Sequence, residues 1–315
     1  MDYLHNHKDF PALLNIVAQE MGIQPLLVEK DYWIMHVLYG LQQLNFTFEL
    51  KGGTSLSKGY KIIHRFSEDI DIHITPPAEL KINENPKNNN PRNIQARKQF
   101  YDWLAATIKM DGILAATRET EFDDVPAYRS GGIRLNYPSY SEPNAGIKEG
   151  ILLEAGFDKV TPNNTLTISS WAYEKAVQQK VAIIDNRGVA IPCYHPGYTF
   201  VEKLQTIATK FRLEQETEQE RPNLLRQYYD IYSLVKNPIV KEFIGTADYF
   251  KHKADRFPDI DNNIPIRENE AFLLSNPELR KRFEIRFQKT AALYYDGQPD
   301  FEEMIEEIGK WLDLL

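Results

Sequence analysis

The chain opens with apolar positions at helical spacing and then changes to strand-like alternation. Residues 28–44 repeat apolar side chains every three or four positions, which predicts an amphipathic helix, and residues 1–40 as a whole predict an α-helical lead-in. Residues 46–50 alternate with period two and run into Gly52 and Gly53. This pattern predicts a strand, a tight turn and the start of a helix.

The next predicted strand is the most regular of the chain. From Asp69 to Ile74 an acid or a histidine alternates with isoleucine, and two prolines follow directly afterwards. Because successive side chains of a strand point to opposite faces, one face is apolar and the other carries Asp69, Asp71 and His73. Residues 83–93 are rich in asparagine and contain two prolines, which predicts a long polar loop.

The remainder of the chain divides into a mixed part and a helical part. The patterns predict a helix over residues 97–110, strands over 132–137 and 151–157, and an edge strand over 188–193, where Pro192 cannot donate a ladder hydrogen bond. From residue 198 onward every pattern is helical. We therefore predict one domain over residues 1–190 and a C-terminal helical domain over residues 191–315.

The charge of the chain limits the partners that it can bind. The 315 residues contain 37 Lys and Arg against 45 Asp and Glu, a net charge of −8, whereas non-specific binding of nucleic acid requires a basic surface. The acidic excess lies in residues 214–220 and 296–315. Two stretches are basic instead, with Lys51, Lys58, Lys61 and Arg65 in the first and Arg280, Lys281, Arg282, Arg286 and Lys289 in the second. Any nucleic acid would therefore be bound at a local basic region and not by the overall charge of the protein.

Cysteine content and hydropathy indicate the compartment. The single cysteine, Cys193, cannot form an intramolecular disulfide, and the first ten residues are too polar for a signal peptide. No apolar stretch approaches the roughly 20 residues that cross a bilayer. These features predict a cytoplasmic protein with no membrane partner.

Three features that can carry chemistry lie close together in the sequence. Gly52 and Gly53 allow a backbone to approach a phosphate closely, and the hydroxyls of Thr54 and Ser55 follow at the predicted start of a helix. Asp69 and Asp71 would project from one face of a strand, where a divalent cation would relieve their repulsion. A lone glycine pair is usually a turn, and a lone Asp-x-Asp is usually a solvated strand face. Their combination predicts a site for a phosphate and Mg²⁺ or Mn²⁺.

Residues 51–72, KGGTSLSKGYKIIHRFSEDIDI, resemble the first motif of the AbiEii/AbiGii toxin family, within the polymerase-β-like nucleotidyltransferase superfamily. The family pattern is GGT, a small residue and leucine, followed by Arg-Phe/Tyr-Ser-x-Asp-Ile/Leu-Asp. The matching residues are Gly52, Gly53, Thr54, Ser55, Leu56, Arg65, Phe66, Ser67, Asp69 and Asp71. Residues 28–33, 201–204 and 225–232 look like further family blocks, so the resemblance covers most of residues 25–235.

The resemblance implies both a fold and an activity. The expected fold is α+β, with an N-terminal nucleotidyltransferase domain built on a mixed sheet flanked by helices and a C-terminal helical domain. The expected activity is metal-dependent transfer of a nucleoside monophosphate from a nucleoside triphosphate to RNA, with the 3′ end of tRNA as acceptor. Such proteins are usually the toxin of a type IV, AbiE-like toxin–antitoxin pair active in phage abortive infection, which implies a cognate antitoxin as partner.

The resemblance also implies roles for individual residues. Asp69 and Asp71 are expected to hold the metal ion and to be catalytic. The superfamily uses a third carboxylate on a later strand, and Glu154 is the candidate because it is the one acid of an otherwise apolar strand. A strand acid that faces solvent is the alternative for Glu154. Gly52, Gly53, Thr54 and Ser55 are expected to bind the nucleotide.

Four further residues fall in motif regions and have two interpretations each. Lys58 and Arg65 either contact phosphate or cap the helix that begins at Thr54. Lys203 either holds the triphosphate as a catalytic residue or is an exposed lysine. Asp230 lies among tyrosines, so it is expected to be buried and to need a cationic partner, Lys203 or Arg226. The Asp230 pair either ties structure together or orients Lys203 and the nucleotide.

Two other functions remain open at this point. A protein of the same fold could bind nucleotide without catalysis and act by regulating a partner. A small-molecule nucleotidyltransferase that modifies antibiotics would share the first motif but not the Lys203 and Asp230 blocks. The intact glycine pair and Asp-x-Asp disfavour a degenerate, non-catalytic site.

Overall fold

The computed structural model describes residues 1–85, 87–142 and 147–315. The chain divides into two compact units, of which the first comprises residues 1–60 and 66–194 and the second residues 61–65 and 195–315. The short segment 61–65, from the middle of the glycine and aspartate motif, thus belongs to the second unit. The predicted domain boundary at residues 190–191 remains a prediction.

The first unit is a mixed sheet with flanking helices. Its seven strands lie in the order β3-β4-β5-β2-β1-β7-β6. β2 pairs with β5 and β1 pairs with β7 in parallel, whereas the other neighbours are antiparallel. The strands are β1 Thr47–Lys51, β2 Asp69–Thr75, β3 Ala115–Glu119, β4 Ser130–Asn136, β5 Ile151–Gly156, β6 Asn163–Ile168 and β7 Gly188–Tyr194. The predicted mixed sheet is confirmed.

The helices of the first unit vary in length, and the longest is α2. They are α1 Phe10–Met21, α2 Pro25–Gln43, α3 Gly52–Thr54, α4 Pro91–Thr107 and α5 Trp171–Gln178, with 3₁₀ turns at Leu4–Asn6, Ala78–Leu80 and Thr120–Phe122. A π-helical turn, Ser55–Gly59, continues α3. The polar loop predicted over residues 83–93 ends at Asn90, whose side chain caps α4, and Pro86 of that loop lies outside the described residues.

The alternation predicted for β2 is confirmed. Ile70, Ile72 and Ile74 are fully buried in the core, whereas Asp69 and Asp71 on the opposite face are partly exposed. Three other elements were not predicted: β3, β6 and α5. The sequence predicted that β7 would be an edge strand. In the structure β7 lies between β1 and β6, and β6 is at that edge of the sheet.

The helix predicted over residues 28–44 is confirmed as α2, but its predicted amphipathic character is wrong, because α2 is buried on all sides from Leu26 to Leu38. Its charged triplet Glu29, Lys30 and Asp31 is buried as well. Glu29 accepts hydrogen bonds from two backbone amides and a serine hydroxyl of residues 139–141. Asp31 accepts from the Trp171 amide. Such partners make the burial of charge possible.

The second unit is helical, as predicted. Its helices are α6 Pro196–Thr217, α7 Leu224–Leu234, α8 Pro238–Phe243, α9 Ala247–Arg256, α10 Asp259–Asn262, α11 Glu270–Leu273, α12 Pro277–Gln288 and α13 Phe301–Gly309, with 3₁₀ turns at Ile266–Glu268, Ala291–Leu293 and Leu312–Leu314. Among the described residues, no helix combines the length and the apolar character that a membrane span requires.

Candidate functional site

The turn between β1 and α3 brings its first glycine against a carboxylate. Gly52 has a φ of +69°, and a Cβ at this position would lie 2.2 Å from Oδ2 of Asp71. No other residue could take this conformation and fit this space without displacing Asp71. The glycine of the motif is therefore required by the close approach of backbone to Asp71, a contact that the spacing alone did not indicate.

Three carboxylates share one face of the sheet. β2 and β5 are parallel neighbours, and Asp71 is in register with Glu154, while Asp69 is two residues before Asp71 on the same face. Neighbouring strands are about 4.8 Å apart, and side chains in register project to the same side. The structure therefore brings the predicted third carboxylate, Glu154, beside the Asp-x-Asp pair. It is only partly exposed rather than turned fully to solvent.

Burial, and then the charges of neighbouring carboxylates, raise the pKa values of Glu154 and Asp69. Burial and the charges of Asp71 and Asp69 raise the pKa of Glu154 to about 8. Burial, together with Asp71 and Glu68, raises the pKa of Asp69 to about 6. Such shifts mark a concentration of negative charge that lacks enough compensating cations.

The donor set fits a hard divalent cation in kind and in number, because Mg²⁺ and Mn²⁺ prefer carboxylate oxygens. Within the described ranges, no three His, Cys, Asp or Glu side chains are yet arranged to hold a metal ion. Carboxylates that repel one another are expected to turn apart until a cation draws them together. Asp69, Asp71 and Glu154 as metal ligands therefore remain a prediction.

A buried lysine lies at the edge of this carboxylate cluster. Lys30 of α2 is 1% exposed, and its Nζ donates to the backbone oxygen of Lys148 at 2.5 Å. The same Nζ is 3.9 Å from Oε2 of Glu68. Burial lowers the pKa of Lys30, while the charges of Glu68 and Asp69 oppose that shift. Sequence reasoning missed Lys30, although a charged triplet inside an apolar helix was a usable signal.

Three predicted nucleotide-binding residues lie within the first unit, and two of them contact neighbouring elements. The buried Thr54 donates its hydroxyl to the backbone oxygen of Asp69 at 2.5 Å and so fastens α3 to β2. Ser55 is fully buried. Lys58 is paired with Asp31, and its ammonium lies 4.9 Å from the ring centre of Trp171. Nucleotide binding by these residues remains a prediction, and the contacts shown position the turn.

The second unit contains the other predicted residues as a buried ionic cluster. Asp230 is fully buried and accepts from Nε and Nη2 of Arg65 at 2.7 and 2.6 Å, and from Nζ of Lys203 at 2.6 Å. Burial alone would raise the pKa of Asp230, but the two cations outweigh it and hold that pKa below its ordinary value. Two cations thus share one carboxylate, which leaves a net positive charge.

The predicted partner of Asp230 is partly right. Lys203 is one of the two candidates named from the sequence, and it is 7% exposed, so the alternative of an exposed lysine is wrong. Arg65 had not been considered as a partner. The segment that contains Arg65 is also bonded to α7, since the backbone amide of His64 donates to the Tyr229 hydroxyl at 3.1 Å.

Comparisons with known proteins address the family. The family model of the nucleotidyl transferase AbiEii toxins of type IV toxin–antitoxin systems matches residues 36–307. No curated protein matches the chain. Among solved structures, an antigenic nucleotidyltransferase-like protein from Paracoccidioides brasiliensis is similar over 81% of this chain and 92% of its own, with 14% identity and a TM-score of 0.38.

The family match covers most of the chain. It includes the turn between β1 and α3, the three carboxylates and the Arg65–Asp230–Lys203 cluster. The mixed sheet and the helical C-terminal region agree with the fold expected from it. The chain therefore belongs to the AbiEii family of nucleotidyl transferase toxins.

Proposed function

We propose that this protein transfers a nucleoside monophosphate from a nucleoside triphosphate to an RNA acceptor in a reaction that depends on Mg²⁺ or Mn²⁺. The observation that carries the proposal is the shared face of Asp69, Asp71 and Glu154 beside the Gly52 turn. Phosphoryl-group chemistry needs charge neutralisation and in-line positioning more than a covalent enzyme intermediate.

The three carboxylates are the proposed metal ligands. When bound there, the ion would neutralise charge on the phosphates and polarise the reacting oxygens. The chain's own contribution is to hold these ligands on two neighbouring strands and to keep the Gly52 backbone close to Asp71. In the balanced reaction, an RNA hydroxyl oxygen forms a bond to the α-phosphorus. The bond from the α-phosphorus to the oxygen that bridges it to the β-phosphorus breaks, pyrophosphate leaves with that electron pair, and the proton of the RNA hydroxyl passes to solvent.

The roles proposed for Lys203 and Asp230 come from the family motif. Their support in the second unit is the net positive charge of the Arg65–Asp230–Lys203 cluster, in which Lys203 also donates to Oε1 of Gln227 at 2.9 Å. A lysine held in this way is a fixed positive charge suited to a phosphate. We propose Lys203 as the phosphate-binding group and Asp230 as the residue that positions it.

The acceptor and the biological role are proposed on the same grounds. We propose tRNA, at its 3′ end, as the acceptor, and action in the cytoplasm as the toxin of an AbiE-like pair that is neutralised by a cognate antitoxin. A toxin in this system would act in phage abortive infection. The family match supports the toxin role, and the tRNA acceptor rests on the resemblance of the motif residues.

The direct experiment is to incubate the protein with each α-³²P-labelled nucleoside triphosphate and total tRNA, with Mg²⁺ or with EDTA. We expect label on RNA only with the metal, and sequencing of RNA 3′ ends should show added nucleotides. Asp69→Asn should abolish transfer, whereas Asp313→Asn, an exposed control with the same charge change, should not. If Asp69→Asn transferred as much label as the Asp313→Asn control, the assignment of Asp69 to the active site would be wrong.

Two further measurements distinguish the proposed activity from a non-catalytic regulatory protein and from an antibiotic-modifying enzyme. Triphosphate binding by calorimetry without transfer to any RNA would favour a non-catalytic regulatory protein. Label on an aminoglycoside, with none on RNA, would favour an antibiotic-modifying enzyme. We expect neither result.

A further inference from the structure

A basic cavity lies in the second unit, and neither Arg65 nor Asp230 is among the residues that line it. The cavity has a volume of about 320 Å³ and lies where α7 begins and α12 ends. Four cationic side chains and one acidic side chain line it: Arg221, Arg226, Arg286, Lys289 and Glu220. None of the four cations belongs to the site residues assigned above.

One wall of the cavity is fixed by an ion pair. The two terminal nitrogens of Arg286 donate to the carboxylate of Glu214 at 2.8 Å each, and Glu214 is buried. Arg286 Nε also lies 3.4 Å from Oε2 of the exposed Glu220. Even when Arg226 is not counted, the other three lining cations exceed the two acids by one positive charge. This excess corresponds to the charge of one phosphodiester.

An unsatisfied donor is found in the same lining. Nε of Arg221 is buried and has no hydrogen-bond partner among the described residues. The other end of its guanidinium donates to the Thr217 hydroxyl at 3.2 Å. A buried donor without an acceptor is costly, so a rotation of the Arg221 side chain that brought Nε to an anion in the cavity would be favoured.

The start of α7 adds backbone donors to the cavity. Asn223 precedes the helix in a left-handed conformation, with a φ of +61°, and its side chain forms no capping hydrogen bond. Asn223, Leu224 and Leu225 all line the cavity. The first amides of a helix and the positive end of its dipole favour an anion at this position.

Burial and the positive charges around the cavity lower the pKa of a neighbouring lysine, Lys210. Lys210 of α6 donates to the backbone oxygen of Pro222, another lining residue, at 2.9 Å. Burial lowers the pKa of Lys210, and the charges of Lys203, Arg221 and Arg226 lower it further. Positive charge is therefore concentrated on this side of the second unit.

We propose that this cavity binds a backbone phosphate of the RNA acceptor. Arginine-rich linings suit phosphodiesters, whose single charge matches the small positive excess. A nucleoside triphosphate carries more charge and brings a divalent cation that needs carboxylate ligands, whereas the lining offers only the exposed Glu220. The inference rests on the proposed transfer to RNA and assigns part of the acceptor's binding surface.

The test compares two double variants that remove the same charge. Arg221→Gln with Lys289→Gln alters the cavity, and Arg267→Gln with Lys251→Gln is the control, since those side chains are exposed and do not line it. Binding of fluorescein-labelled total tRNA is measured by anisotropy in EDTA over a salt series. Without metal no transfer is expected, so binding is observed separately from catalysis.

We expect the cavity variant to bind tRNA on the order of tenfold more weakly than the control. The slope of log K against log salt should fall by about 0.7 to 0.9 for each lost phosphate contact. Equal behaviour of the two variants would overturn the proposal, and so would a loss confined to ATP affinity measured by calorimetry. If the cavity variant does not fold, Lys289→Gln against Lys251→Gln makes the same comparison.

The outcome is separable from the fate of the proposed function. Specific tRNA binding through the cavity, with no nucleotide transfer to RNA under any metal condition, would contradict the proposed function and leave the cavity assignment standing. Transfer that is intact in the wild type, with tRNA affinity equal in both double variants, would contradict only the cavity assignment.

Discussion

Gly52 and Asp71 are so close that a Cβ on Gly52 would lie 2.2 Å from Oδ2 of Asp71. Gly52→Ala should therefore displace a proposed metal ligand and also strain the backbone, since Gly52 has a φ of +69°. We expect transfer to fall at least about a hundredfold, equivalent to roughly 2.7 kcal/mol in the barrier. Steady-state labelling of tRNA measures this.

The matched control is Gly22→Ala. Gly22 has a φ of +66°, but a Cβ added there would meet nothing within 4 Å. It carries the backbone strain, about 1 kcal/mol of unfolding free energy, without the contact to a carboxylate. Equal loss of transfer in both variants would mean that strain, rather than the approach to Asp71, sets the need for glycine.

Glu154→Gln tests the crowding of carboxylates through stability. Because burial and the aspartates raise the pKa of Glu154 to about 8, above its ordinary value, the native state holds a proton that the unfolded state releases. The free energy of unfolding of the metal-free protein should therefore fall as pH rises from about 4.5 to 8. At pH 8 the variant should be more stable than the wild type, by on the order of 1–3 kcal/mol.

Urea unfolding in EDTA at pH 5 and at pH 8.5 measures this difference. The exposed Glu306→Gln provides the control for an ordinary Glu to Gln change. If Glu154→Gln and Glu306→Gln respond to pH alike, Glu154 is not held among repelling charges.

Lys30 should set the pH at which the carboxylates ionise. Its positive charge lowers the pKa of Asp69, so Lys30→Met should raise that pKa further above 6. The acidic limb of the pH–activity profile should move to higher pH, and Lys30→Arg should restore part of the shift. Lys175→Met, at a lysine paired with Glu20, should leave the profile unchanged. A profile that keeps its position in Lys30→Met would contradict this positioning role.

Asp230 should be required for the stability of the second unit. Asp230→Asn would leave the buried guanidinium of Arg65 and the ammonium of Lys203 without their carboxylate. Removal of one partner from a buried ion cluster typically costs about 3–5 kcal/mol. Thermal unfolding followed by circular dichroism measures the loss, with the exposed Asp259→Asn as control. A variant as stable as the control would show that the cluster is not a structural tie.

The sequence predicted the features that depend on local pattern. The β2 alternation directly places Ile70 in the core and Asp69 on the site face, and the motif points to Glu154 as the third acid. The relationships that it missed join distant parts of the chain. Arg65 and Asp230 are 165 residues apart, and the burial of α2 depends on partners such as Trp171, which is 140 residues from Asp31. A helical repeat alone cannot show that its charged residues have such partners.

The two unpredicted strands have a similar explanation. β6 begins with Asn163 and Asn164 and alternates only over its last four residues, and the only apolar residues of β3 are two alanines, so neither shows a full run of the apolar alternation by which strands are recognised. Their conformation depends on pairing with β7 and β4, respectively. Pairing with a neighbour, more than their own composition, makes these segments strands.

The central claim is that Asp69, Asp71 and Glu154 hold a divalent cation. Binding of Mn²⁺, followed by the loss of its free-ion electron paramagnetic resonance signal, tests it most directly. We expect the wild-type protein, without nucleotide, to bind Mn²⁺, and Asp71→Asn to bind it at least tenfold more weakly than the Asp313→Asn control. Mn²⁺ affinity that is equal in Asp71→Asn and the control would contradict the account.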